Sequence, residues 1–138
     1  MPNHTLDYQM YLAQREVINF YNRHLLKQKQ LTYQQYLVIM VLHESGTIPV
    51  LQLGHRLAFQ SGTISPILKK MEIKGIIERY RNPDDERVVM IQLSEEGRLL
   101  SQELIDIPLQ MFKASGLTPQ EYKKLMIYAS KVIQNVTY

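Results

Sequence analysis

Apolar positions recur along this chain in two rhythms, and each rhythm marks a different kind of element. Leu6, Met10, Ala13, Val17, Phe20 and His24 follow one another at spacings of four and three, which predicts a helix over residues 6–26 with one apolar stripe. The stripe covers under three heptads, so it predicts a packing seam rather than a long coiled coil. A second helix opens at Thr32, which with Gln35 makes a capping box, while Leu31 and Tyr36 are placed as a hydrophobic staple. Its body, YLVIMVL from Tyr36 to Leu42, is apolar on nearly all sides and belongs in a core; Ser45-Gly46 ends it. Residues 47–49 leave room for a small extra strand. Val50, Leu53 and Leu57 mark one face of a brief helix ending near Ala58. Ile64, Ile67, Leu68 and Met71 then mark the buried face of a helix from Ser61 to Lys74, closed by Gly75. Pro66 has no amide hydrogen, which predicts an irregular first turn or a later start for that helix.

The rhythm then changes to a period of two. Strands are predicted over residues 77–81 and 88–93; in the second, Val89, Ile91 and Leu93 alternate with Val88, Met90 and Gln92. The intervening Asn82-Pro83-Asp84-Asp85-Glu86 is turn chemistry. Ser94 caps a helix carrying Leu100, Leu104 and Ile107, with a break or kink at Pro108. The last helix opens on Thr118-Pro119-Gln120-Glu121, a capping box with Pro at the first helical position, stapled by Leu117 and Tyr122. The predicted order is α-α-(β)-α-α-β-β-α-α, a mainly α (α+β) fold: a winged helix-turn-helix over about residues 32–93 with terminal helices over about 6–28 and 94–137. No repeat, low-complexity tract or linker interrupts it, so residues 1–138 read as one domain. Both terminal regions carry longer apolar faces than a winged helix needs to cover its own core. Burial against a second copy is the economical explanation, because two-fold homodimers are the commonest oligomers.

Composition sharpens this only in places. An apolar fraction of 45% over 138 residues supports a packed core and argues against global disorder. No apolar run approaches the roughly 18 residues of a membrane span. The opening MPNHTLDYQMYLAQRE lacks the pattern of a secretory signal, so a cytoplasmic chain with no membrane partner is expected. Cysteine is absent, which removes disulfides, thiolate metal sites and thiol redox chemistry together. The net charge of +3 is compatible with nucleic acid without requiring it.

The candidate chemistry lies between Ser61 and Leu93. The polar face of the Ser61–Lys74 helix offers Ser61, Thr63, Ser65, Lys69 and Lys70. Short hydroxyls at a helix N-terminus donate to phosphates or base edges, and the helix dipole adds to the attraction. Alone, that face could equally be solvated surface behind an ordinary N-cap. The attached hairpin favours DNA, since a polar helix suits a major groove and a ribbon with an arginine near its tip reaches phosphates or a minor groove. Arg87 follows the turn directly and is the candidate for the minor groove; Arg79 and Arg81 are placed for phosphates. The neighbouring acids would repel phosphate, unless Asp85 holds Arg87 in a fixed pose through a charge-assisted hydrogen bond. A plain polar turn is the other reading.

The remaining candidates are weaker. His4, His24, His43 and His55 are scattered without metal-ligand spacing, and no metal or cofactor is expected. A Gly-rich phosphate loop, a nucleophile elbow and paired catalytic carboxylates are all missing, so no enzymatic activity is expected. Tyr11, Tyr21, His24 and Tyr36 could line a pocket for a small apolar or phenolic effector. Ordinary core and interface packing explains the same aromatics. The methionines read as core filler before oxidation sensors.

SGTISPILKKMEIKGIIERYRNPDDERVVMIQLSEEG, residues 61–97, resembles the recognition helix, wing and following helix start of the MarR family of bacterial transcription regulators. LTYQQYL at 31–37 and DIP at 106–108 resemble more particularly the branch that senses organic hydroperoxides, and its staphylococcal-type relatives. The resemblance implies a homodimer built from the first and last helices and a pseudo-palindromic duplex site, with recognition helices in major grooves and wings over minor grooves. It further implies that Arg87 is the wing arginine and Asp85 the aspartate that orients it. One departure stands out. That branch senses peroxide through a cysteine near the start of the first helix, where this chain has Asp7 or Tyr8; Tyr11 matches a tyrosine that would neighbour the thiol. A thiol switch cannot operate here. The expectation is therefore a transcription regulator, most often a repressor, with double-stranded operator DNA as partner. A winged-helix protein-interaction module is the alternative.

Overall fold

A computed structural model describes residues 4–137. It divides into two compact units, one ending at Ile105 and one beginning at Asp106. In the first, α1 (Leu6–Phe20) runs into a π-helical turn (Tyr21–Leu25) and a 3-10 turn (Lys27–Lys29). There follow α2 (Tyr33–Ser45), β1 (Ile48–Pro49), α3 (Val50–Leu57), α4 (Ser61–Ile73), β2 (Ile77–Asn82), β3 (Asp85–Leu93) and α5 (Glu95–Glu103). The core gathers Leu26, Val38, Ile39, Leu53, Leu68, Met71, Ile91 and Leu104, all completely or almost completely buried. The three strands form one antiparallel sheet in the order β1-β3-β2, with Ile48 and Arg79 both opposite Ile91.

Local chemistry sets most boundaries where expected. The Thr32 hydroxyl accepts from the Gln35 amide at 3.2 Å, and the Gln35 side chain accepts from the Thr32 amide at 3.1 Å, which closes the box that starts α2. The wing strands reach further than the expected 77–81 and 88–93. Asn82 pairs with Asp85 across a bulge, so only Pro83 and Asp84 remain between the strands. The Asn82 side chain accepts from the Asp84 amide at 2.9 Å, and this tight local bond lets the ladder continue almost to the tip. The expectation for Pro66 needs correcting. Helix α4 starts at Ser61 and runs through Pro66. The proline removes the helical donor of the Gly62 carbonyl, and Gly62 is an exposed residue, so the lost bond costs less there than it would in a buried turn.

Helix α4 ends in a Schellman motif. Gly75, at φ +78°, donates to the Glu72 carbonyl and Ile76 to the Met71 carbonyl, each at 3.0 Å. The chain enters β2 at once, and the start of α5 closes over the same spot. Ser94 donates its amide to the Ile76 carbonyl at 2.9 Å, shares its hydroxyl proton between the Gly75 and Ile76 carbonyls, and accepts from the Gly97 amide at 3.0 Å. Gly97 lies so near that a Cβ placed there would stand 2.0 Å from the Ile76 oxygen.

The second unit holds α6 (Ile107–Ser115) and α7 (Pro119–Val136). Of the break or kink expected at Pro108, the structure has the break: α5 stops at Glu103, and Pro108 sits in the first turn of a separate helix, adding one to the expected order. Gly116, at φ +73°, ends α6, and Thr118 with Glu121 closes the box that opens α7. Phe112 meets Tyr122 edge-to-face with ring centroids 5.0 Å apart.

The stripe of α1 is largely bare, with Leu6, Met10 and Val17 exposed. So is that of α7, where Leu125, Met126, Ile133 and Val136 are exposed. No helix among the described residues is long and apolar enough to cross a membrane.

Alanine normally favours a helix over glycine by about 1 kcal/mol. Gly97→Ala should do the reverse and destabilise the protein by about 1–3 kcal/mol, because the new methyl overlaps a backbone oxygen that the sheet and α5 hold in place. A fall in the urea midpoint at unchanged m-value checks this; a rise would refute it.

Candidate nucleic-acid interface

Helix α4 buries Ile64, Leu68 and Met71 and turns Thr63, Ser65, Lys69 and Lys70 to solvent. The side chain of Ser61 lies outside the described residues. Lys69 and Lys70 have no hydrogen-bond or ion-pair partner among the described residues, so their charges are available to a ligand.

The three wing arginines divide. Arg79 is half-buried and paired with Glu72 of α4 at 3.0 Å, which ties β2 back to the helix. Arg81 donates to the Glu86 carbonyl at 2.8 Å, crossing the hairpin just before its tip. Arg87 projects furthest, its side chain 90% exposed. Asp85 grips it from one side: Nε donates to Oδ1 at 3.0 Å and an Nη to Oδ2 at 3.2 Å, while the Arg87 amide also donates to Oδ1 at 3.1 Å. The pose expected from sequence is therefore present. Hydrogen bonds from the Arg87 side chain and backbone hold the Asp85 carboxyl below its ordinary range, and the carboxylate in turn raises the guanidinium.

Helix and wing meet at a cavity of about 730 Å³ lined by Val50, Phe59 and Ile64 together with Ser65, Arg79 and Arg87. The structure thus brings a hydroxyl of α4 and the wing arginine to one place.

The aromatic candidates are only partly assembled. Tyr21 and Tyr36 are buried against each other with centroids 5.4 Å apart, and Tyr33 completes the cluster at 4.9 Å from Tyr21. Burial pushes the Tyr36 hydroxyl far above its ordinary range, with the neighbouring Tyr21 and Tyr33 adding to it. His24 stands beside Phe20 at 4.8 Å, and Tyr11 faces solvent on α1. Sequence reasoning also missed Glu72 and Lys74, whose partners lie on other elements.

A lysine- and hydroxyl-bearing helix joined through one turn to an arginine-tipped hairpin makes this a winged helix-turn-helix regulator of the DNA-binding class. The model described as "Transcriptional regulator SarA/Rot" matches residues 21–104, and the chain belongs to that family, a MarR-like winged-helix group of transcription regulators. The organic hydroperoxide resistance transcriptional regulator of Bacillus subtilis is 39% identical over 116 residues, 84% of this chain and 78% of that one. The HTH-type transcriptional regulator MgrA of Staphylococcus aureus is 35% identical over 128 residues, 93% of this chain and 87% of its own. Among solved structures, reduced AbfR bound to DNA superimposes with a TM-score of 0.77 at 27% identity, covering 96% of this chain and 92% of that one.

The Asp85–Arg87 pair makes a titration prediction. Because the folded Asp85 is held below its ordinary pKa, the pair persists above that range and is lost only as pH falls through the lowered value. The Arg87 Nε–H resonance should stay fixed from neutral pH down to about 4, the ordinary aspartate value, and move only below it. Movement centred above that value would contradict the pairing.

Proposed function

We propose that the chain acts in the cytoplasm as a homodimeric repressor of transcription that reads a pseudo-palindromic operator in double-stranded DNA. The observation that carries this reading is the cavity where Ser65 of α4 meets Arg87, the latter held outward by Asp85. Thr63, Ser65, Lys69 and Lys70, with Ser61 at the helix start, enter a major groove; Arg87 enters the adjoining minor groove. Lys69 and Lys70 supply the salt-sensitive part of the affinity, since neither is paired among the described residues. Arg79 and Arg81 are committed to Glu72 and the Glu86 carbonyl, so they shape the wing and reach phosphate with what remains.

The exposed faces of α1 and α7 support pairing of two copies, with residues 6–28 and 94–137 as the dimerisation helices of one MarR-type domain. Two recognition helices must then stand about 34 Å apart to meet successive major grooves. A small apolar or phenolic effector that changes that spacing, or that fills the cavity beside Ser65 and Arg87, releases the DNA. That cavity suits the effector better than the cluster of Tyr11, Tyr21, His24 and Tyr36, because Tyr21 and Tyr36 already occupy each other's space.

Arg87→Ala should weaken operator binding by about 1–3 kcal/mol at fixed salt. Unchanged affinity in an anisotropy titration would remove Arg87 from the interface. Glutamate in place of Val17 and Leu125 should give a monomer by sedimentation and abolish tight operator binding. A dimer that persists would place the contact elsewhere. A chain that binds no duplex even at low ionic strength would instead be a protein-interaction module.

A further inference from the structure

Lys74 is one of the seven basic residues between residues 47 and 93, and by charge alone it belongs with Lys69 and Lys70 as a phosphate contact. Its surroundings differ from theirs. Lys74 is the C-cap of α4, and its Nζ donates to the backbone carbonyl of Gln30 at 2.9 Å, across 44 residues of chain. That carbonyl is well fixed. Gln30 sits at φ +58° after the 3-10 turn, its amide donates to the Lys27 carbonyl, and the flanking Leu26 and Leu31 are both buried and bonded to each other through the backbone at 3.3 Å. Lys29 braces the same turn against Glu103 of α5 at 3.3 Å, and Asn22, on the π-helical turn after α1, accepts from the first amide of α2. The turn therefore joins α1 to α2 and holds the end of α4 as well. The residue after Lys74 begins the step into β2, so whatever holds Lys74 holds both the helix and the wing at their junction.

We infer that Lys74 is a positioning residue for DNA reading: it anchors the C-terminal end of the recognition helix to the turn that follows α1, and it does so as a hydrogen-bond donor to Gln30 rather than as a charge offered to phosphate. The inference rests on the proposed reading of DNA by α4.

Salt titration separates positioning from phosphate contact. Each phosphate contact adds roughly 0.9 to the slope of log affinity against log salt. With a duplex selected from a random pool, anisotropy titrations from low to moderate salt would compare the full-length protein with Lys74→Met, Lys74→Arg and Lys69→Met. Unfolding midpoints of each would be taken to confirm that all are folded at the assay temperature. Lys69→Met should flatten the slope by about one. Lys74→Met should lower affinity about three- to tenfold with the slope unchanged, and Lys74→Arg should restore it. A slope flattened by Lys74→Met overturns the inference in favour of phosphate contact. Unchanged affinity, or no rescue by arginine, overturns it too. If the unsubstituted protein binds no duplex at low salt, the DNA reading itself fails, an outcome distinct from all of these.

Discussion

One backbone oxygen organises this molecule. The Ile76 carbonyl lies where α4 has just ended and β2 is about to begin, and Ser94 and Gly97 bring α5 down onto it. Three elements therefore share a contact that leaves no space for a side-chain carbon. A left-handed glycine at 75 makes the reversal, a serine supplies donor and acceptor at once, and a glycine at 97 makes the approach physically possible. The angle between α4 and the wing is set there.

The wing answers a question of charge. Three acids beside an arginine-bearing tip look self-defeating for a phosphate ligand. The one of the three next to Arg87 in space, Asp85, is spent on that arginine, while Glu86 and Asp84 contribute only backbone groups to the tip, the Glu86 carbonyl to Arg81 and the Asp84 amide to Asn82. Exposed ion pairs contribute little to stability, so the effect of Asp85 lies in posture: a long side chain that would sample many rotamers is held in one. The guanidinium edge not facing Asp85 has no partner among the described residues. The Glu72–Arg79 bridge joins α4 to β2 one layer further in, where both side chains are partly buried.

What could be read from sequence was whatever is decided within a few residues. Both capping boxes, the serine cap at Ser94, the glycine ends at Gly46 and Gly75 and the apolar faces of α3 and α4 all depend on short-range rules, and they stand where those rules place them. The Asp85–Arg87 pair was legible for the same reason, being two residues apart on a hairpin. Features decided by tertiary geometry were not. Nothing local marks the π-helical turn that swings Tyr21 into the core, or the partnership of Lys74 with a carbonyl 44 residues away. Pro66 misled because the rule against proline inside helices assumes that the orphaned carbonyl is costly, and here it sits at an exposed glycine. The aromatic candidates were gathered by element rather than by direction, so Tyr11, which faces solvent, was included.

The bare stripes of α1 and α7 carry a consequence beyond architecture. Under the proposed pairing, each copy finishes the other's surface, and so the stability of the chain rises with its own abundance through mass action. When the protein is scarce, its oily flanks lie open to proteases and chaperones; when it is plentiful, they vanish from view. Such a molecule responds to its rate of synthesis with a threshold, and dilution during growth becomes an input as real as any small molecule.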